Sequence, residues 1–170
     1  MILVILIIFA SVLLLTFAYA GIGGAPYVPT WKKDVDRFLK LAEIKDGEKM
    51  YDLGCGDGRL ICAAAKAGAN VVGLELSLLP YLLSHVRRLF QPEKERIKIL
   101  YKNFWKTDLR DADIIYFWIS KEATYRLQKK FEKELKKGTK IISYVWPIEA
   151  WVPVKVDNIE GRSKLYLYKV

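Results

Sequence analysis

The alternation of apolar and polar residues divides this chain before anything is counted. Met1 to Ala20 is an unbroken apolar run that, as a helix rising ~1.5 Å per residue, would reach ~30 Å, the thickness of a bilayer core. Gly21 to Thr30 is a Gly/Pro-rich connector. Beyond it, short buried strands alternate with amphipathic helices. Thr30 is placed to cap a helix whose stripe is Val35, Phe38, Leu39 and Ala42. Lys49 to Leu53 reads as a strand, Leu60 to Ala67 as an alanine-rich helix stopped by Gly68, and Asn70 to Leu74 as a second strand ended by Glu75.

A helix capped by Ser77 should run to about Phe90, with Pro80 tolerated in its first turn and Pro92 beyond its end. Ile97 to Tyr101 is the third strand and Ile114 to Ile119 the fourth. A helix from Lys121 to Lys137 turns Leu127, Phe131 and Leu135 inward and ends at Gly138. Lys140 to Val145 is the fifth strand, and Trp151 to Val156 with Lys164 to Lys169 make a hairpin around Asp157 to Gly161. The alternation predicts a three-layer α/β domain with a mainly parallel sheet closed by an antiparallel hairpin.

Residues 1–25 therefore read as a membrane anchor and linker, and residues 26–170 as one folded domain. A cleaved signal peptide, suggested by Ala18-Tyr19-Ala20, and a buried core helix compete for the apolar run. The first lacks a basic lead segment; the second would waste a surface that is apolar all round. Lys32, Lys33 and Arg37 follow the run and no basic side chain precedes it, so the positive-inside rule puts the C-terminal domain in the cytoplasm, with Tyr19, Tyr27 and Trp31 near the interface. The 170 residues carry net charge +9, which anionic lipid or nucleic acid would both attract. Cys55 and Cys62 have no further Cys or spaced His to complete a metal cluster, and His85 reads as a packing or surface residue.

The chemistry concentrates in Asp52-Leu-Gly-Cys-Gly-Asp-Gly58, between a strand and a helix. Gly54, Gly56 and Gly58 permit positive φ and let a ligand approach bare backbone. A dinucleotide fingerprint read from Gly54 would need glycine or alanine where Arg59 stands, so that fit is poor. Asp52 in the turn suits an ammonium, while Glu75 at the end of the next strand suits a ribose diol. S-adenosylmethionine carries both groups and no phosphate. Asn103 and Phe104 follow the third strand, where an amide can bond an adenine edge and a ring, of Phe104 or Trp105, can cover its face.

On these residues the chain resembles the class I S-adenosylmethionine-dependent methyltransferases, with a Rossmann-like fold. The family pattern implies that Gly54, Gly56 and Gly58 border the methionine part, Asp52 its amine and Glu75 its ribose. Pro26-Tyr-Val-Pro-Thr30, just upstream of the first domain helix, is similar to the corresponding stretch of a branch of protein lysine methyltransferases. That branch includes soluble archaeal enzymes and membrane-anchored mitochondrial ones that modify an ATP synthase subunit. The resemblance runs from about Pro26 to Val170 and implies that Tyr27 and Thr30 fold over the cofactor.

A lysine acceptor, with a pKa of ~10.4, must be presented neutral, at a cost of ~4.6 kcal/mol at pH 7. Trp118 and Ser120 after the fourth strand, and Tyr144 and Trp146 at the fifth, are the candidates for an aromatic acceptor channel. No general base can be named from the sequence and no metal is required. Asp/Asn-Pro-Pro-Tyr/Phe is absent after the fourth strand, where Tyr116 to Ser120 stand; this argues against the amino methyltransferases of adenine, cytosine and glutamine. An RNA or small-molecule methyltransferase, and a cofactor-binding membrane adaptor without turnover, are the alternatives.

Overall fold

In the computed structural model, which describes residues 1–170, seven strands share one sheet. They are β1 (Lys49–Leu53), β2 (Asn70–Glu75), β3 (Ile97–Tyr101), β4 (Ile114–Phe117), β5 (Lys140–Tyr144), β6 (Lys155–Asp157) and β7 (Leu165–Lys169). The order across the sheet is β3-β2-β1-β4-β5-β7-β6; β7 alone runs antiparallel to both its neighbours, and every other pairing is parallel. The order reverses between β1 and β4, and a crevice at the carboxyl ends of these strands is where an open sheet of this kind receives its ligand.

Five helices complete the chain: α1 (Ile2–Ile22), α2 (Lys32–Ala42), α3 (Arg59–Lys66), α4 (Leu78–Leu89) and α5 (Lys121–Glu134). Strand alternation sorts the core. Met50, Val71, Ile97, Ile114 and Ile142 face Val35 and Phe38 of α2 and Ile61 of α3. Tyr51, Leu53, Leu74, Ile115 and Ile141 face Leu127 and Phe131 of α5. The three layers are those that the sequence pattern predicts.

The element ends differ from the sequence reading where pairing partners run out. β4 stops at Phe117 instead of Ile119, because Leu53, its partner, is the last residue of β1. The hairpin strand begins at Lys155 and not Trp151, since Pro153 lacks the N–H that a ladder needs. α5 closes at Glu134, and Leu135 is already extended. β5 ends at Tyr144, because Val145 turns to φ 74° and the Trp146 amide donates back to the Tyr144 carbonyl at 3.0 Å. A β-branched residue in that conformation is strained.

Two expected caps are also replaced. Trp31 and not Thr30 stands at the start of α2, and the Thr30 hydroxyl turns inward to Tyr116 Oη, 3.3 Å away. The Ser77 hydroxyl caps nothing and has no partner; the first amide of α4, Leu78, donates instead to Thr16 Oγ1 of α1 at 3.2 Å.

α1 has mean hydropathy 2.9 and is long and apolar enough to cross a membrane. Residues Met1 to Val12 are all exposed, which removes the core-helix reading. Leu13, Thr16, Phe17 and Ala20, one helical face, are partly or wholly covered by the domain.

Candidate active site

The glycine turn is built by its own backbone. The Gly54 and Cys55 amides both donate to the Leu74 carbonyl of β2, at 2.9 and 3.0 Å, so the chain folds back over the end of the neighbouring strand. Gly54, Gly56 and Gly58 have φ of 96°, 56° and 79°, the region that side chains avoid. Gly58 is the residue just before α3 and does not itself line the cleft. Glu75 closes the turn from outside, accepting the Gly56 amide at 2.8 Å on one oxygen and the Leu76 and Ser77 amides at 2.9 and 2.7 Å on the other. Cys55 packs into the core over Gly73, where an added Cβ would stand 2.8 Å from its sulfur. Its thiol, pushed well up by burial and by the Asp52 carboxylate, is a small wall residue.

Two cavities meet at this turn. The larger, about 470 Å³ counting the space open to solvent, is bordered by Tyr27, Thr30, Asp52, Gly54, Gly56 and Trp118, among others. The smaller, about 300 Å³ on the same basis, lies over Leu74, Asn103, Phe104 and Trp105. Ala25, Gly54 and Glu75 border both. The structure thus gathers the candidates from Tyr27 to Phe104, Gly58 excepted, into one bipartite cleft at the β1–β4 crossing point, with Glu75 at its waist. Ala20 and Gly23, from the end of α1, line the smaller cavity, and the Trp105 indole donates to the Gly23 carbonyl at 3.0 Å.

Asp52 sits 2% exposed at the end of β1, and no hydrogen bond from the protein reaches its carboxylate. Burial, reinforced by Glu75 and Asp57, pushes its pKa well above the ordinary carboxylate value. An unpartnered buried acid at a cleft floor is electrostatically unsatisfied, and an ammonium placed beside it would restore the balance. Asn103 is less open: its Oδ1 accepts the Trp105 amide at 2.9 Å and caps a short turn.

Of the acceptor-channel candidates, only Trp118 lines the cleft. Its ring meets Tyr144 edge-on, with centroids 4.7 Å apart. Tyr144 donates to buried Asp34 at 2.7 Å, on the α2 side of the core. Ser120 caps α5 by accepting the Ala123 amide at 3.2 Å, while its own amide donates to Gly24 O at 2.7 Å. Trp146 is 41% exposed, and its carbonyl accepts from Ser143 Oγ.

Three charged residues and one tyrosine escaped the sequence reading. Asp57 accepts from Arg59 Nη2 and Arg87 Nη2, each at 2.8 Å. Burial raises its pKa, but the two guanidinium groups bring it below the usual value. Arg59 also donates to the Thr30 carbonyl at 3.0 Å, tying the Pro26–Thr30 strap to the glycine turn. Arg59 registered only as a break in a dinucleotide fingerprint, although an arginine following Asp57-Gly58 at a helix start is itself a signal of pairing. Tyr116, buried on β4, lines the cleft beside Asp52, its register partner on β1, and shares its hydroxyl with Thr30.

The sheet order, antiparallel final hairpin and bipartite cleft define a class I methyltransferase. Residues 52–155 match the family model described as the ANTKMT methyltransferase domain, and the chain belongs to that family. It is 35% identical over 153 residues to a protein-lysine N-methyltransferase of Saccharolobus islandicus, covering 85% of this chain and 93% of that one. It is 32% identical over 148 residues to the adenine nucleotide translocase lysine N-methyltransferase of Mus musculus, over 85% of this chain but 63% of that longer protein. Among solved structures, an RNA methyltransferase from Salinibacter ruber in complex with S-adenosyl-L-homocysteine superposes with TM-score 0.79 at 26% identity, covering 84% of this chain and 93% of that one. The cofactor is S-adenosylmethionine, and the cleft suits it: an orphaned acid for the ammonium and bare glycine backbone beside it.

Proposed function

We propose that this protein methylates the side-chain amine of lysine in a protein substrate, working from a membrane to which α1 anchors it. The single observation that carries the cofactor half is Asp52, buried without a partner at the floor of a glycine-lined cleft. The lysine half rests on the relatives, an archaeal protein-lysine N-methyltransferase and animal lysine N-methyltransferases named for adenine nucleotide translocase and for a component of ATP synthase.

Asp52 would hold the cofactor's ammonium, Glu75 its ribose at the waist of the cleft, and Phe104 with Leu74 the adenine, while Tyr27 and Thr30 close over it. The bound cofactor supplies an electrophilic methyl group on a sulfonium. The chain's own task is to present a neutral amine in line with that methyl and keep water out. Trp118, Tyr116 and the prolines of the strap form a low-dielectric wall that disfavours an ammonium, with the Tyr116 and Thr30 hydroxyls as the polar groups within it.

The anchor reading draws on the length and apolarity of α1, and on its end being knitted into the domain through Ala20, Gly23 and Gly24. Lys32 and Lys33 beyond it favour the domain on the cytoplasmic side. A membrane protein is the acceptor that such an arrangement meets most readily.

The test is incorporation of a labelled methyl group. The full chain, reconstituted in lipid vesicles and given methyl-labelled cofactor with a membrane-protein extract, should mark lysine side chains by mass spectrometry. An Asp52→Asn variant should leave them unmarked. Label recovered only in RNA or lipid would overturn the lysine assignment. The RNA outcome is a live second reading, because the chain carries +9 net charge and the Salinibacter ruber neighbour is described as an RNA methyltransferase. RNA binding would weaken steeply with salt.

A further inference from the structure

Helix α4 has an outward face that the fold leaves bare. Leu79, Leu82, Leu83, Val86, Leu89 and Phe90 recur at helical spacing along it, and their exposure ranges from 41% to 80%. The face carries little free charge. Arg87 bends back to the Asp57 carbonyl and carboxylate, at 2.9 and 2.8 Å, and Arg88 to the Ile97 carbonyl at 2.7 Å. A soluble monomer rarely exposes a contiguous apolar strip of this kind.

The geometry of α1 indicates what covers it. Twenty-one residues at ~1.5 Å per residue just match a ~30 Å hydrocarbon core. Its C-terminal half is not free, however, because Leu13, Thr16, Phe17 and Ala20 lie against the domain and Thr16 accepts the first amide of α4. The part standing clear, Met1 to Val12, is only about half a core thickness long. If α1 crosses the bilayer while docked in this way, the domain surface beside its docked half must enter the same leaflet. The element beside it is α4, and its outward face is apolar.

The geometry points to α4 as a second, in-plane membrane element: its Leu79–Phe90 face lies in the boundary between headgroups and acyl chains of the leaflet from which α1 emerges. This rests on the anchor reading above. It is the arrangement of an interfacial amphipathic helix, here joined to a spanning one by the Thr16–Leu78 hydrogen bond. It would hold the mouth of the cleft at the membrane surface, since Ala20 and Gly23 border the smaller cavity.

The test places one nitroxide at a time on the full chain, through Ile7→Cys, Leu83→Cys, Val86→Cys and Lys129→Cys, in vesicles of phosphatidylcholine and phosphatidylglycerol. The native Cys55 and Cys62 are buried, and burial pushes the Cys62 thiol up to about 11, so the new thiols label selectively. Collision with oxygen should exceed collision with an aqueous nickel chelate severalfold at positions 7, 83 and 86, and the ratio should invert at 129, on the solvent face of α5. Positions 83 and 86 reading as aqueous as 129 while 7 reads immersed would overturn this inference and leave the anchor standing. An aqueous 7 would remove the anchor reading itself, and with it this one. Labels at 83 and 86 shielded from both reagents, and freed to water on dilution to one chain per vesicle, would assign the face to a second copy and overturn the lipid assignment.

Discussion

The ring of Tyr27 lies against Gly56, so closely that a Cβ on that glycine would stand 3.0 Å from Tyr27 Cε2. The strap is thus folded directly onto bare backbone, held there by Arg59 at the Thr30 carbonyl. Gly56→Ala should cost ~1–2 kcal/mol for its left-handed backbone and displace the ring. The fold should persist, while S-adenosylhomocysteine binds at least tenfold more weakly by calorimetry. An unchanged Kd would mean that the cofactor does not use this turn.

Asp52 sets stability against binding. Its pKa is raised in the folded state by burial and by Glu75 and Asp57, so ionising it costs the fold. The sign follows: the folded protein is favoured while Asp52 is neutral, below the unfolded carboxyl value of ~3.9, and loses stability as pH rises towards the raised folded value. Asp52→Asn should therefore melt a few degrees higher than the native chain without cofactor at pH 7, and the gap should close as pH falls. The same variant should gain no thermal stability from S-adenosylhomocysteine, whereas the native chain should gain several degrees. A variant that melts lower than the native chain at neutral pH would contradict the electrostatic account.

The places of Asp52, the three glycines, Glu75, Asn103 and Phe104 at strand ends and in the turn could be read from the chain because strand period, positive-φ residues and strand-end acids are local signals. What stayed hidden was set by partners distant in sequence. The length of β4 follows from where β1 ends, and the Thr30 hydroxyl is taken by Tyr116 across 86 positions. Ser120, Tyr144 and Trp146 looked like channel residues from their place at strand ends. A helix cap, a buried acid and a strained turn claim them instead, and none of these is visible without the neighbours. The outward face of α4 was equally hidden, since its periodicity says that a face is apolar and not which face the sheet covers.

Arg37 should be the costliest surface-proximal side chain to remove. From α2 it donates to Asp34 at 2.8 Å, to Asp157 at 2.9 Å and to the Ser163 carbonyl at 2.9 Å, clamping the final hairpin to the helix that follows the strap. Arg37→Ala leaves Asp34 buried, with Tyr144 still donating and Arg162 3.8 Å away. The loss should be about 3 kcal/mol, the low end for a broken buried pair. For a domain of this size that is a fall of roughly 6–12 °C in melting temperature. Arg37→Lys keeps the charge without the planar fork and should lose less than half as much. Equal losses for the two variants would show that charge geometry is not what holds the hairpin.

Substitution of Trp118 distinguishes an acceptor role from a cofactor role. It alone of the four proposed channel residues lines the cleft, on the side of Tyr116 and Thr30, and its edge-on contact with Tyr144 fixes the ring. If it walls the path of the incoming amine, Trp118→Ala should lower kcat/KM for the protein substrate at least tenfold, about 1.4 kcal/mol of transition-state stabilisation. The Kd for S-adenosylhomocysteine should stay within threefold. Trp118→Phe, which keeps an apolar aromatic wall, should recover most of the loss. Because a neutral amine is the reactive form, Trp118→Ala should also shift the rise of activity with pH to more alkaline values as water enters the cleft. Loss of cofactor affinity in step with activity would instead assign Trp118 to the cofactor side and leave the amine to approach from elsewhere.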